Sequence, residues 1–338
     1  MKPTDFAYWL TRFLGTHLPA IVGASRNSIL SYRDTFLLFL RYCAEEKRIK
    51  AEKFTLELFT RDIVECFLLW LEEKRGNSVS TRNQRLAAIH AFCKYIQYEH
   101  PQALFGIQEV LSIPIKKTRK KTPVYLSVKQ IKVLLAQPNR KTREGRRDLA
   151  LLGLLYDTGA RVQEIADLNV VDVRLEKPAT VKLTGKGNKT RVVPLSSSLV
   201  GLLAAYMEEN QLLEPVHKLH PLFTNRFGNR FSRFGIAFIL ERHNASAGRN
   251  IPGFSKKLTP HILRHSKAMH LLQSGVNLVY IRDILGHVSI QTTEVYARAD
   301  SEMKRKAFEK VRSAVDSEEI PKWHNNPALL DWLSRLGK

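Results

Sequence analysis

The sequence predicts a mainly α chain with a small β-sheet: a helical N-terminal domain followed by an α+β domain. Three observations carry this. Apolar residues recur at steps of three and four through most of residues 1–112. A run of basic residues follows at 116–123. Beyond it, the helical pattern is broken by strand-like segments around Gly185-Lys186-Gly187-Asn188-Lys189. With 338 residues, 44% hydrophobic and 25% charged, the chain is globular and long enough for two ordinary cores. The expected boundaries are a helical domain over 1–115, a basic linker over 116–125, an α+β domain over 126–310 and a C-terminal tail over 311–338.

In the first domain, one helix runs from about Ser25, a plausible N-cap, to Lys47, with Ile29, Tyr32, Phe36, Leu40 and Cys43 as its apolar stripe. A second covers about Arg61 to Lys74. A third runs from Ser80 to Tyr98, with Leu86, Ile89, Cys93 and Ile96 inward and Asn83, His90, Lys94 and Gln97 on a polar face. A bundle of four or five short helices follows. The linker carries Lys116, Lys117, Arg119, Lys120 and Lys121 and ends in Pro123. Such a run is either a solvated loop or, because its charges repel one another, a segment lying along a polyanion.

In the second domain, a buried helix from Asp148 to Tyr156 ends at Gly159, a fitting left-handed terminator. A short helix spans Val162–Leu168. Ala179–Thr184 and Thr190–Leu195 form a hairpin through the glycine-rich turn. Thr259-Pro260 starts a helix that runs to Gly275, Pro falling at its first position. Leu278–Leu285 forms another that stops at Gly286, and a further helix from Ser289 carries Tyr296. After Ser301 come one more helix, a polar break around Ser317–Pro321 and an amphipathic end, Pro327–Leu336.

The formal net charge of +22 calls for a polyanionic partner, nucleic acid first. A membrane surface would call for a lysine-rich amphipathic segment, and no apolar run is long enough to span a bilayer. The N-terminus lacks the pattern of a signal peptide. Cys43, Cys66 and Cys93 lie in apolar helical stretches without a paired motif, as reduced core residues of a cytoplasmic protein do.

Six residues stand out in the second half: Arg161, Lys186, His261, Arg264, His287 and Tyr296. His261 and Arg264 occupy the first turn of one helix, three apart, where backbone N–H groups and the dipole favour an anion. The bland alternative is a capped surface helix. His261 and His265 imitate a metal pair but lack the intervening Glu, and Arg264 between them would repel a cation. Arg161 follows Thr158-Gly159-Ala160, with Glu164 one turn on to orient it; most such pairs are surface ion pairs. Taken singly, Lys186 at a hairpin tip, His287 after a terminating glycine and Tyr296 on a helix are each more often structural. Together they suit one negative charge held by Arg, Lys and His groups and attacked by a phenol.

In order and spacing, His261-Ile-Leu-Arg264-His265-Ser266, Leu285-Gly286-His287 and Thr292-Thr293-Glu-Val-Tyr296 resemble the tyrosine recombinases of the phage integrase family. So do Thr158-Gly159-Ala160-Arg161-Val162-Gln163-Glu164 and the Gly185–Lys189 turn. The resemblance spans about 126–300 and, more loosely, the helical bundle. It implies a two-domain clamp on duplex DNA, with a core DNA-binding domain and a catalytic domain. Arg161 and Arg264 would grip the scissile phosphate and Lys186 would protonate the leaving 5′-oxygen. His261 would handle the tyrosine proton, His287 would bond the phosphate, and Tyr296 would form a 3′-phosphotyrosyl link. No cofactor or metal is implied, since transesterification keeps the bond energy.

Arg26, Arg82, Arg85, Lys116, Lys117, Arg119, Lys120 and Lys121 are the candidate DNA contacts. The implied partners are double-stranded DNA with paired half-sites and further copies of the chain, a dimer per site and a tetramer in synapsis, with an accessory recombinase or DNA-bending protein as a further partner. The tail, with an apolar stripe at Met303, Ala307, Phe308, Val311 and Val315 and a second group at Leu329, Leu330, Trp332, Leu333 and Leu336, would connect protomers. The bundle begins so near the N-terminus that a simple Xer-like or transposon-encoded type is expected, acting in the bacterial cytoplasm at the nucleoid. The function expected is site-specific recombination: integration, excision or transposition of an element, or dimer resolution. The alternatives are a type IB topoisomerase-like relaxing enzyme and a catalytically idle DNA-binding protein of the same fold.

Overall fold

The structure, a computed structural model, describes residues 2–118, 123–250, 254, 257–287, 289–299 and 329–336. The chain divides into two compact units, residues 1–120 and 121–338.

The first unit is all helix: α1 (Asp5–Arg12), a wider helical stretch Phe13–Ile21, α2 (Arg26–Glu46), α3 (Arg61–Glu73), α4 (Val79–Glu99) and α5 (Leu104–Leu111). Thr4, Ser25, Thr60 and Ser78 each cap a helix by accepting from the backbone N–H three residues on. The α4 cap is therefore Ser78, two residues before the Ser80 expected from the pattern. The core is unusually aromatic. Phe6 packs edge-on against Phe54 with ring centroids 4.8 Å apart and against Phe92 at 5.5 Å. Cys43 and Cys93 are free and buried among these rings, and burial pushes the Cys43 thiol up to about 12.

In the second unit, α7 (Arg143–Thr158) is the central helix, with Leu149 to Leu155 wholly buried. It starts five residues earlier than the apolar pattern implies, because Thr142 caps it and accepts from Gly145 N. It ends at Gly159 in the left-handed conformation (φ 58°). Around it lie α6 (Val128–Leu135), α8 (Val162–Ala166), α9 (Ser197–Glu209), α10 (Arg233–Asn250), α11 (Pro260–Gln273), α12 (Leu278–Leu285) and α13 (Ile290–Ala299). A last helix spans Leu329–Arg335. The antiparallel sheet has the order β1 (Val173–Arg174), β2 (Thr180–Thr184), β3 (Thr190–Pro194), with Thr184 opposite Thr190. This is the mainly α architecture with a small sheet that the sequence predicts.

Three helices, α6, α9 and α10, escape the sequence reading. In α10 the reason is visible: Phe234 and Phe238 are exposed while Ile236, Ile239 and Leu240 are buried, so apolar residues go all round and no single stripe emerges. At the start of α7 the buried Asp148 accepts from Arg147, Arg242 and His243. Burial alone would raise its pKa; the His243 and Arg147 hydrogen bonds and the nearby charges outweigh this and hold it below the usual carboxylate range.

Candidate active site

The end of α12 organises the site. Helix ends leave carbonyls without helical partners, and here three consecutive ones each receive a different arginine. Ile284 O accepts from Arg191 Nε at 2.8 Å, Leu285 O from Arg264 Nη2 at 2.7 Å and Gly286 O from Arg161 Nη2 at 3.1 Å. The negative end of the helix dipole thus offsets the repulsion among three cations. Gly286 adopts φ 65°, and a Cβ there would lie 2.9 Å from Arg191 Nη1. The Leu-Gly-His motif therefore needs its glycine for backbone geometry and for the close approach of a guanidinium.

Arg161 stands at the N-cap of α8. Glu164 accepts from its backbone N–H at 2.8 Å and from its Nη1 at 2.8 Å, and Arg191 donates to both oxygens of the same carboxylate at 2.9 and 2.7 Å. Burial would raise the Glu164 pKa, but the Arg191 bond, the Arg161 backbone bond and the two charges keep it low, so the carboxylate is ionised. Arg264, on α11, is only 4% exposed and also donates to Gly159 O at 2.8 Å. Burial first, and then the Arg161 charge, push its pKa down to about 10, so it stays cationic at neutral pH.

Tyr296, on α13, is 2% exposed, and its hydroxyl lies 2.8 Å from His265 Nδ1. Burial raises the phenol pKa, with Arg264 opposing. His287 stacks beside the Tyr296 ring at 6.3 Å, and its Nδ1 sits 2.8 Å from Thr293 Oγ1. Burial, then Arg264 and Arg161, bring His287 down to about 4, which makes it neutral at pH 7. His261 is exposed at the surface but stacks on His265 with centroids 6.4 Å apart; partial desolvation of its ring, then the charges of Arg264 and Arg161, lower its pKa. An open cleft of about 550 Å3 fronts this cluster, lined by Arg161, Lys189, Arg191, Arg282, Gly286 and His287 among others. Lys186 opens the turn Lys186–Asn188 between β2 and β3; the placement of its side chain lies outside the described residues.

Five of the six sequence candidates, Arg161, His261, Arg264, His287 and Tyr296, thus gather around one helix end, with Glu164 among them. The tyrosine hydroxyl, however, meets His265 and not His261. His265 is visible in the motif run, one residue after Arg264, where the i,i+4 spacing suggests only a false metal pair. Arg191 and Thr293 were also missed. The signal for Arg191 is strand alternation: in β3 it shares the inward side with the buried Val193, an unusual place for a charge.

The candidate DNA contacts fare differently. Arg26 and Lys117 are exposed. Arg82 is buried, bonding Pro114 O at 3.0 Å, and Arg85 bonds Ser31 O and Thr35 Oγ1 on α2. Both hold the bundle together, Arg82 by tying α4 to the chain at Pro114 and Arg85 by tying it to α2. Lys116 pairs with Glu72 at 2.6 Å and is tied to Asn83 through its backbone, so it ends the bundle rather than floating as linker. Arg119, Lys120, Lys121 and the stripe from Met303 to Val315 lie outside the described residues. Of the last apolar group, Leu333 and Leu336 are exposed. Among the described residues no helix is long and apolar enough to cross a membrane.

The phage integrase family profile matches residues 124–303. The Sinorhizobium fredii protein y4rC, described as an integrase or recombinase, is 36% identical over 310 residues, 91% of this chain and 92% of that protein. Tyrosine recombinase XerD of Staphylococcus epidermidis is 34% identical over 288 residues, 85% of this chain and 92% of XerD. Among solved structures, the XerH site-specific recombinase in its pre-cleavage complex with difH substrate has a TM-score of 0.68 at 22% identity, covering 91% of this chain and 99% of that one. That likeness is one of fold.

Proposed function

The chain belongs to the phage integrase family and is a tyrosine-type site-specific recombinase, and on that premise we propose which of its residues cut and rejoin DNA. The observation that carries the proposal is the gathering of Arg161, Arg264 and His287 at the end of α12, with the Tyr296 hydroxyl beside them on His265. The two guanidiniums bond the non-bridging oxygens of one phosphodiester, as forked donors suit phosphate geometry. His287, with Thr293 donating to Nδ1, presents Nε2–H to the same phosphate.

Tyr296 Oη attacks phosphorus as its proton passes to a neutral His265 with its own proton on Nε2. This revises the role first expected of His261, which instead flanks the arginines. The bond from phosphorus to the 5′-oxygen breaks, Lys186 protonates that oxygen, and a 3′-phosphotyrosyl link is left. A 5′-hydroxyl from a second duplex then attacks the link, releases Tyr296 and completes the exchange, with no net loss of bond energy. The substrate is double-stranded DNA carrying paired half-sites, held by two protomers per site and four in synapsis. The tail beyond residue 310 passes between neighbours, and a second recombinase or a DNA-bending protein assists where site geometry requires it. Arg26, Lys117, Arg119, Lys120 and Lys121 lie along the DNA backbone. The relaxing-enzyme and idle-binder alternatives are not favoured, since the relatives of similar length are recombinases.

The test is incubation with a nicked duplex that traps the intermediate, followed by a denaturing gel. Wild type should form a covalent adduct and Tyr296→Phe none, while both bind duplex alike. An adduct with Tyr296→Phe would assign the nucleophile elsewhere.

A further inference from the structure

Arg191 lies outside the set of groups that the proposed chemistry uses, yet it is held more fully than any of them. From β3, just past the turn that carries Lys186, its side chain makes two bonds to Glu164 and one to Ile284 O. Its side chain is 12% exposed and that of Glu164 only 2%. Glu164 is thus one carboxylate shared by two guanidiniums, with its Oε1 2.8 Å from Arg161 Nη1 and 2.9 Å from Arg191 Nη1.

The charge count matters. Arg161 with Glu164 alone is a neutral pair, and its buried carboxylate would face an incoming phosphate with the wrong sign. Adding Arg191 gives the trio a net positive charge. From this geometry we propose that Arg191 is a positioning residue: it neutralises Glu164, so that Glu164 can orient Arg161 without cancelling the charge Arg161 brings to the phosphodiester. The Arg191 fork faces Glu164 and its Nε faces Ile284 O, so the role assigned to it is that of holding Glu164 and not of gripping the phosphate. The inference rests on Arg161 gripping the scissile phosphate, as proposed above.

The same nicked duplex supplies the experiment, read as single-turnover cleavage alongside DNA affinity and melting temperature. Arg191→Gln should cleave roughly ten- to a hundred-fold more slowly with affinity unchanged, since it disturbs the reacting geometry and not the wider phosphate contacts. The deciding arm is Glu164→Gln added to Arg191→Gln. If Arg191 acts by neutralising Glu164, removing the carboxylate charge should restore several-fold of the lost rate, a coupling of opposite sign to simple damage. A double variant no faster than Arg191→Gln would make Arg191 a plain brace and overturn the proposal. Should Arg191→Gln fail to fold, Arg191→Lys carries the test, because it keeps the charge but not the fork. Cleavage by Arg191→Lys that is rapid and unaffected by Glu164→Gln supports neutralisation, and cleavage that is abolished overturns it. A wild-type protein that forms no adduct would sink the functional reading first, and this inference with it.

Discussion

Gly286 and Gly275 form a matched pair for measuring what the close approach of Arg191 is worth. Both end helices of the second unit, and both have positive φ, 65° and 84°. Alanine at either position takes on a left-handed backbone costing about 1–2 kcal/mol. At Gly275 nothing lies within 4 Å of the added Cβ, so the cost stops there. At Gly286 the Cβ would meet Arg191 Nη1 at 2.9 Å, Cδ at 3.0 Å and Cζ at 3.2 Å. A free arginine would swing away, but this one is held at both ends by Glu164 and Ile284 O. Moving it breaks at least one charge-assisted bond, about 1.5–3 kcal/mol. Gly286→Ala should therefore melt roughly 3–12 °C below Gly275→Ala by thermal denaturation. Its single-turnover cleavage should fall about 10²-fold, because Arg161 shares the same carboxylate and carbonyl run. Gly275→Ala should cleave like wild type. Two variants that melt together, with Gly286→Ala cleaving normally, would refute the claim that this glycine makes room for Arg191.

Other consequences can be checked in parallel. His265→Ala should slow adduct formation by about 10²–10⁴ if it accepts the tyrosine proton. Since burial, His261 and Arg264 lower the His265 pKa, the wild-type rate should fall with acid only below the ordinary imidazole range, as His265 protonates; a rate already falling above pH 6.5 would point to another base. Asp148→Ala leaves Arg147 and His243 without their buried partner and should cost about 3 kcal/mol in denaturant titration, the lower end for a broken buried pair because Arg242 is partly solvated. Asp148 and Glu164 both have lowered pKa values. The stability they supply is present above the ordinary carboxylate range near pH 4 and should be lost as pH drops through their lowered values, while loss already at pH 6 would contradict this. Truncation after Asp316 should leave binding to a single site intact and abolish synapsis of two sites in a gel-shift assay; normal recombination by the truncated protein would show that the tail is not the connector.

Much of the site is legible in the sequence because its chemistry fixes residue types at set spacings. Arg264 and His261 fall in one helical turn, Gly286 must terminate α12, and Tyr296 follows His287 on the next helix. What escapes is whatever depends on tertiary contact. Arg82 and Arg85, near the N-terminal end of α4, read as DNA contacts, but the chain at Pro114 and the helix α2 receive their guanidiniums, turning those candidates into internal braces. His265 and His261 are equivalent by spacing, and only the docking of α13 decides which one meets the phenol. Arg191 looks like one basic residue in a basic protein until its strand is seen to turn it inward. The start of α7 escapes because its first residues, Arg143-Glu144-Gly145-Arg146-Arg147, carry no apolar side chain to extend the stripe.

If the proposed chemistry holds, the carbonyl run at the end of α12 also sets when a growing chain becomes capable of cutting DNA. Arg161, Glu164 and Arg191 leave the ribosome well before residues 278–287, and Tyr296 comes after those. Until α12 has folded there is no helix end to hold the arginines together, and like charges left to themselves move apart. A nascent or truncated chain can therefore carry much of the attraction for DNA while lacking the gathered arginines and Tyr296, the proposed phosphate grip and nucleophile. Heat or proteolysis that loosens α12 should act in the same order, abolishing strand cleavage before DNA affinity. On the proposed chemistry, strand cleavage is thus tied to completion of the fold in a way that DNA affinity is not.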